Sequence, residues 1–224
     1  GLGAGIFFIG YFLFEVPSNL LLEKIGARKT LLRIMVLWGL AATAMMFVST
    51  PAQFYIVRFL LGAFEAGFFP GVILYFTYWY PSVRRGQVIA IFMSATTIVS
   101  VIAGPLCGAI LKYFDGFSGM HGWQWLFLVQ GLPAVLLGFL VYFMLEDKPA
   151  QANWLSADEK MLIDDAFKSD TRHEALPDAG SFAQCLRDPK VYVLSLIYFL
   201  LLGATYTMVF WLPTLVQSWG VKDL

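Results

Sequence analysis

Six windows of about 20 predominantly apolar residues recur along this 224-residue chain, each as long as an α-helix must be to cross the hydrocarbon core of a bilayer. Inside lipid there is no water to satisfy backbone N–H and C=O groups, so such a window has to be helical. The windows lie at about 2–22, 30–49, 53–80, 87–111, 125–145 and 191–216. Only 13% of residues are charged, against about 25% in soluble domains. The expectation is an all-α integral membrane protein with six spans.

The third window departs from the others. Its stretch IVRFLLGAFEAGFFPG, from Ile56 to Gly71, carries Arg58 and Glu65. A charge at bilayer depth costs about 3 kcal/mol on insertion scales, so an ionisable residue there points to a functional site. Arg58 and Glu65 are seven residues apart, which places them on one helical face about 10 Å apart along the axis. Gly62, Ala63, Ala66, Gly67 and Gly71 surround them, and small residues of this kind let another helix or a ligand approach closely. The competing reading is a structural ion pair within a bundle. Glu15, in the first window, is the other charge placed inside a span; the remaining charges are assigned to short loops or to residues 146–190.

The loops orient the spans. Lys24, Arg28, Lys29 and Arg33 follow the first span and Arg84 and Arg85 follow the third, while Lys112 is the one basic residue in the links after the second and fourth. By the positive-inside rule the richly basic side is cytoplasmic, and parity puts 146–190 on the same side. In that segment Ser156 and Glu159 have the spacing of a capping box, opening a short helix with Leu162, Ile163, Ala166 and Phe167 as its apolar stripe. From Lys168 to Gly180 the chain reads as a linker. Ser181 and Gln184 repeat the capping spacing, and Phe182 with Leu186 suits a membrane surface. Gly104-Pro105 is expected to interrupt the fourth span, and Pro17, Pro70, Pro133 and Pro213 punctuate others. The two cysteines, Cys107 and Cys185, give no disulfide or metal pattern. No nucleophile-and-base or metal constellation appears, so no enzyme activity, cofactor or metal is expected, and no nucleic-acid partner. The chain begins at Gly1 close to an apolar run and stops just after another, so it is read as an internal piece of a longer protein.

After the first span, the segment from Asn19 to Lys29, NLLLEKIGARK, resembles the loop motif of the major facilitator superfamily, G-x-x-x-D-R-x-G-R-R. Glu23 stands for the acid, Lys24 for the first base, Gly26 for the glycine and Arg28-Lys29 for the basic pair; Asn19 and Ala27 depart from it. The stretches EVPSNLLLEKIGARK, RFLLGAFEAGFFPGVILYFTYWYP, GWQWLFLVQGLPAVLLG, WLSADEK and FWLPTLVQ are similar to the anion:cation symporter family within that superfamily, in its phthalate and tartrate permease branch. The resemblance implies a major-facilitator-type helix bundle, of which the six spans are the family's second to seventh helices. It divides the chain into the N-terminal transmembrane half without its first helix (1–145), a cytoplasmic linker (146–190) and the first helix of the C-terminal half (191–224).

The resemblance also implies roles. Arg58 is the anion-site arginine and Glu65 the proton-coupling carboxyl; Tyr11 aligns with a cavity tyrosine and Thr96 with a polar site residue, Ser94 lying at similar depth. For Tyr11 the competing role is interhelical packing, and for Ser94 and Thr96 a helix-to-helix hydrogen bond. Tyr206 and Trp211 are further candidates from the other half. Glu23, Lys24, Gly26, Arg28 and Lys29 form a gate at the helix ends, and Glu15 has a gating or structural role. The implied activity is proton-coupled symport of a small organic anion across the plasma (inner) membrane by alternating access. The substrate would be a mono- or dicarboxylate, sugar acid or aromatic acid. The rival function is a membrane anion receptor or sensor that does not transport.

Overall fold

The structure, a computed structural model, describes residues 2–173 and 186–220. Among the described residues eight α-helices run in order: α1 (Leu2–Ile25), α2 (Ala27–Ala44), α3 (Pro51–Glu65), α4 (Phe68–Trp79), α5 (Ser82–Tyr113), α6 (Gly122–Met144), α7 (Ala157–His173) and α8 (Pro189–Ser218). Six of the described segments are long and apolar enough to cross a membrane, α3 and α4 together making one of them. All six coincide with the expected windows to within a few residues. The chain divides into two compact units, residues 1–170 and residues 171–224.

The first unit is held together where glycine removes the side chain between backbones. A Cβ on Gly62 of α3 would lie 2.0 Å from the Phe7 carbonyl oxygen of α1, and one on Gly10 would lie 2.4 Å from the Phe59 carbonyl oxygen. A second pair of helices meets in the same way, since a Cβ on Gly39 of α2 or on Gly131 of α6 would each lie 2.7 Å from the other residue's carbonyl oxygen. Lipid gives helices no hydrophobic reason to associate, so such backbone approach supplies the packing. α2 sits at the centre, burying Ala27, Thr30, Leu31, Ile34, Met35, Gly39 and Ala41, whereas α5 buries only Ile110.

The links between spans close on themselves by capping. Thr50 accepts a hydrogen bond from the Gln53 N–H at 3.3 Å, and the Gln53 side chain accepts one from the Thr50 N–H at 3.2 Å. With Pro51 in the first helical position, these contacts start α3 at its sequence-encoded residue. At the same end, Gln124 at the start of α6 donates to the Met46 carbonyl beyond α2 at 2.8 Å. The other end carries α7. Ser156 and Glu159 form the expected capping box, with the Glu159 carboxylate accepting from the Ser156 N–H at 2.8 Å and hydroxyl at 2.9 Å. These bonds hold the Glu159 carboxyl below its usual pKa. Further along α7, Asp170 accepts from both the N–H and the hydroxyl of Ser82, capping the start of α5 from a separate helix.

Four expectations need correction. The third span is not one helix: Ala66 leaves helical geometry and Gly67 takes a left-handed φ of 86°, separating α3 from α4. The fourth is unbroken, because α5 runs through Gly104-Pro105; a membrane helix tolerates the one hydrogen bond that proline removes when neighbours re-satisfy the carbonyl. The region read as linker from Lys168 is helical as far as His173, its i,i+4 pair Lys168–Asp164 at 2.5 Å adding support. Arg28, Lys29 and Arg33 are not loop residues but lie within α2. Ser181, Phe182, Gln184 and Cys185 fall outside the described residues.

The second unit contributes α8. Pro189 opens it, and Asp188 accepts from the Lys190 N–H at 2.9 Å. Within the helix, Tyr206 and Phe210 stack with ring centroids 6.0 Å apart, and Trp211 is exposed.

Candidate functional site

α3 presents both charges of the third span. Arg58 lies about two turns into the helix and Glu65 is its last residue, near the middle of the Pro51–Trp79 segment. Phe54, one turn before Arg58, stacks under the guanidinium with its ring centroid 5.3 Å from Cζ. It occupies the space left by Gly3 on α1, where a Cβ would be 2.5 Å from Phe54 Cε1. The arginine is thus braced through an aromatic ring that α1 fixes in place. Its Nε is buried and has no hydrogen-bond partner. Among the described residues no ion pair joins Arg58 to Glu65, and neither pairs with any other side chain. A guanidinium held by cation–π contact with its donors unspent can engage a carboxylate through its fork.

The break after Glu65 has a physical cause. Glycine alone adopts a φ near +86° without strain, and a Cβ on Gly67 would lie 2.6 Å from Ser18 Cβ. Ser18 is buried and accepts a 2.6 Å hydrogen bond from Arg33 Nη2. Arg33, Ser18, Pro17 and Phe64 line a cavity of about 350 Å³ between α1, α2 and α3. Asn19, one residue on, donates to the Glu15 carbonyl at 2.9 Å. The Glu15 side chain is half-buried and has no ion-pair partner among the described residues.

The other candidates are dispersed. Tyr11 on α1 packs its ring against Phe7 at 6.1 Å, and its backbone N–H faces Gly62. Ser94 and Thr96 are exposed on α5, and their hydroxyls donate to carbonyls of their own helix, Ile91 at 2.7 Å and Met93 at 2.6 Å. Those bonds do not cross between helices.

At the ends of the helices the loop motif is drawn into a compact network. Gly26 has φ 90° and initiates α2; a Cβ there would lie 2.7 Å from an Asp147 carboxylate oxygen. Asp147 accepts the Arg28 N–H at 2.9 Å, so an acid from beyond α6 caps α2. The Arg28 side chain donates through Nε and Nη2 to the Tyr142 carbonyl at 3.1 and 2.8 Å and through Nη1 to Glu146 at 2.9 Å. Its Cζ also lies 5.2 Å from the centre of the Tyr142 ring. Tyr75 on α4 closes the set by donating to the Glu146 carbonyl at 3.0 Å. Glu23, Lys24 and Lys29 are exposed and take no part.

A sequence profile of the Major Facilitator Superfamily matches residues 1–222. The chain belongs to the major facilitator superfamily. Relatives of this superfamily member include a proposed metabolite transport protein, NicT, of Pseudomonas putida, 49% identical over 100% of the chain and 51% of the relative. A proposed tartrate transporter of Agrobacterium vitis is 46% identical over 100% of the chain and 51% of the relative. A quinolone resistance transporter of Acinetobacter baumannii is 46% identical over 98% and 50%. The chain therefore spans about half the length of the curated relatives it matches. The crystal structure of a bacterial homolog of the human lysosomal transporter Spinster, inward-facing and occupied, superposes with a TM-score of 0.56 at 21% identity. That match covers 64% of this chain and 35% of the other and supports the fold. With six apolar segments of spanning length, this major facilitator chain is an integral membrane protein.

Sequence reasoning did not name Asp147, Glu146, Tyr142 or Tyr75 as partners of the superfamily loop. A signal was present: the acids Glu146-Asp147 follow the fifth span, and parity places them on the same side as the basic loop. Arg33 was missed because its position beside Arg28 and Lys29 made it look like part of the loop.

Proposed function

We propose that the protein containing this chain is a proton-coupled symporter of a small organic anion, with Arg58 as the anion hook and Glu65 as the proton carrier. The observation that carries this reading is that neither group has an ion-pair partner among the described residues. Arg58 is braced by Phe54 with its Nε buried and unbonded, and Glu65 terminates a helix at a mid-span break. Two opposite charges within one span that do not neutralise each other have capacity for a ligand and a proton. A carboxylate substrate would neutralise Arg58, and protonation would remove the charge of Glu65, so that the loaded site crosses the bilayer without net charge. The name of the tartrate transporter is consistent with a small anionic substrate.

In this reading residues 1–145 belong to the N-terminal transmembrane half, 146–190 form the cytoplasmic link and 191–224 begin the second half. The Gly26–Arg28 network with Glu146 and Asp147 then lies at the cytoplasmic face of the plasma membrane. It is a set of contacts that holds one conformation and must loosen in another. Tyr11 supplies a hydroxyl toward the substrate, with Ser94 and Thr96 on a further wall.

The test is uptake by the intact protein in proteoliposomes, using radiolabelled mono- and dicarboxylates with and without an inward proton gradient. At least one carboxylate accumulates when the gradient is imposed and dissipates with an uncoupler. If no anion in the panel moves, the transport reading fails and the receptor reading takes its place.

A further inference from the structure

We infer that the cavity between the end of α4, the 148–150 link and α7 is a binding site for an anionic phospholipid. The cavity has a volume of about 580 Å³ and is lined by Thr77, Tyr78, Lys148, Lys160, Met161 and Phe167, among others. Lys148 lies over the Tyr78 ring, 5.8 Å from its centroid. Among the described residues neither Lys148 nor Lys160 forms an ion pair. The acid on the wall, Asp164, is engaged by Lys168 at 2.5 Å. Two cationic side chains therefore face one cavity whose lining carboxylate, Asp164, is already paired with Lys168.

The rest of the α7 lining is largely apolar, with Met161, Ile163 and Phe167 beside Lys160. A small soluble anion would satisfy the lysines but leave that lining wet. A phospholipid offers both a charged phosphate and an apolar stem, and it is the amphiphile present at this depth. Thr77 and Tyr78 of the lining lie at the end of the third span, and the next residue, Trp79, stacks its ring on Trp154 at 5.7 Å with 4° between their planes. Tryptophan concentrates at the boundary between headgroups and hydrocarbon, and lysines there attract anionic headgroups. A bound lipid would bridge α4 and α7, adding to the Ser82–Asp170 contact that ties α7 to α5.

The experiment measures phosphatidylglycerol and phosphatidylcholine binding to the intact protein in neutral detergent by native mass spectrometry. sn-Glycerol 3-phosphate is the soluble competitor. Phosphatidylglycerol should bind more tightly than phosphatidylcholine, and glycerol phosphate should not displace it. Replacing Lys148→Gln and Lys160→Gln together should weaken it about thirtyfold, from roughly one interfacial lysine contribution each. Lys148→Arg with Lys160→Arg should retain it, as should Lys112→Gln at the far end of α5. Met161→Trp, which fills the cavity and leaves both charges, should also weaken it and serves if the glutamine pair fails to fold. Unchanged affinity in the glutamine pair or in Met161→Trp would overturn the assignment. So would equal binding of phosphatidylcholine, or displacement by glycerol phosphate, which would mark a site for a free anion.

Discussion

Arg28 and Glu146, 118 residues apart in sequence, meet at 2.9 Å where the start of α2 passes the end of α6. Their side chains are 27% and 22% exposed, so solvent weakens the pair without abolishing it. The arginine gains more from its two bonds to the Tyr142 carbonyl, because a charged donor satisfies a carbonyl that the helix end leaves open. One side chain thus holds together two spans whose middles touch through Gly39 and Gly131.

Arg28→Gln should lower the stability of the purified protein by about 2 kcal/mol, the scale of losing charged hydrogen bonds. Lys29→Gln, at an exposed neighbour, should change it by less than about 0.5 kcal/mol. Thermal unfolding in detergent followed by tryptophan fluorescence makes the comparison. Equal effects from the two substitutions would mean that the network is not a stabilising contact.

Gly62→Ala should destabilise by about 1–3 kcal/mol, the cost of overpacking, because the added methyl meets the Phe7 carbonyl. Gly5→Ala, which meets nothing within 4 Å, should be neutral. The fraction of folded, monodisperse protein after heating reports both. A tolerant Gly62 would show that α1 and α3 can separate without loss.

Asp170→Ala should remove the cap on α5, at about 1 kcal/mol, and free α7 from it. Hydrogen exchange should quicken at 82–85 and along 157–170 while α2 stays protected. No change at either segment would contradict the docking of α7 through Ser82.

What the sequence made legible follows from the lipid solvent. Length and hydropathy dictate each span, since only a helix satisfies its own backbone there, and Ser156 with Glu159 declared its capping box through spacing alone. Contacts between segments were less visible. The break at Gly67 depends on Ser18 occupying the space where a side chain would go, and no local pattern shows that. The bond from Arg33 to Ser18 is a tertiary contact that its membership of a basic run does not show. Arg58 was legible as a charge out of place, but its brace, Phe54 seated against Gly3, was not.

In the proposed mechanism Glu65 carries the coupled proton while Arg58 holds the anion. It is tested most directly with Glu65→Gln in proteoliposomes, by comparing gradient-driven accumulation of the transported carboxylate with its counterflow exchange at equal pH. Accumulation should be lost while exchange persists, and Arg58→Lys should impair both. Uphill accumulation by Glu65→Gln at the unmodified protein's level would contradict it.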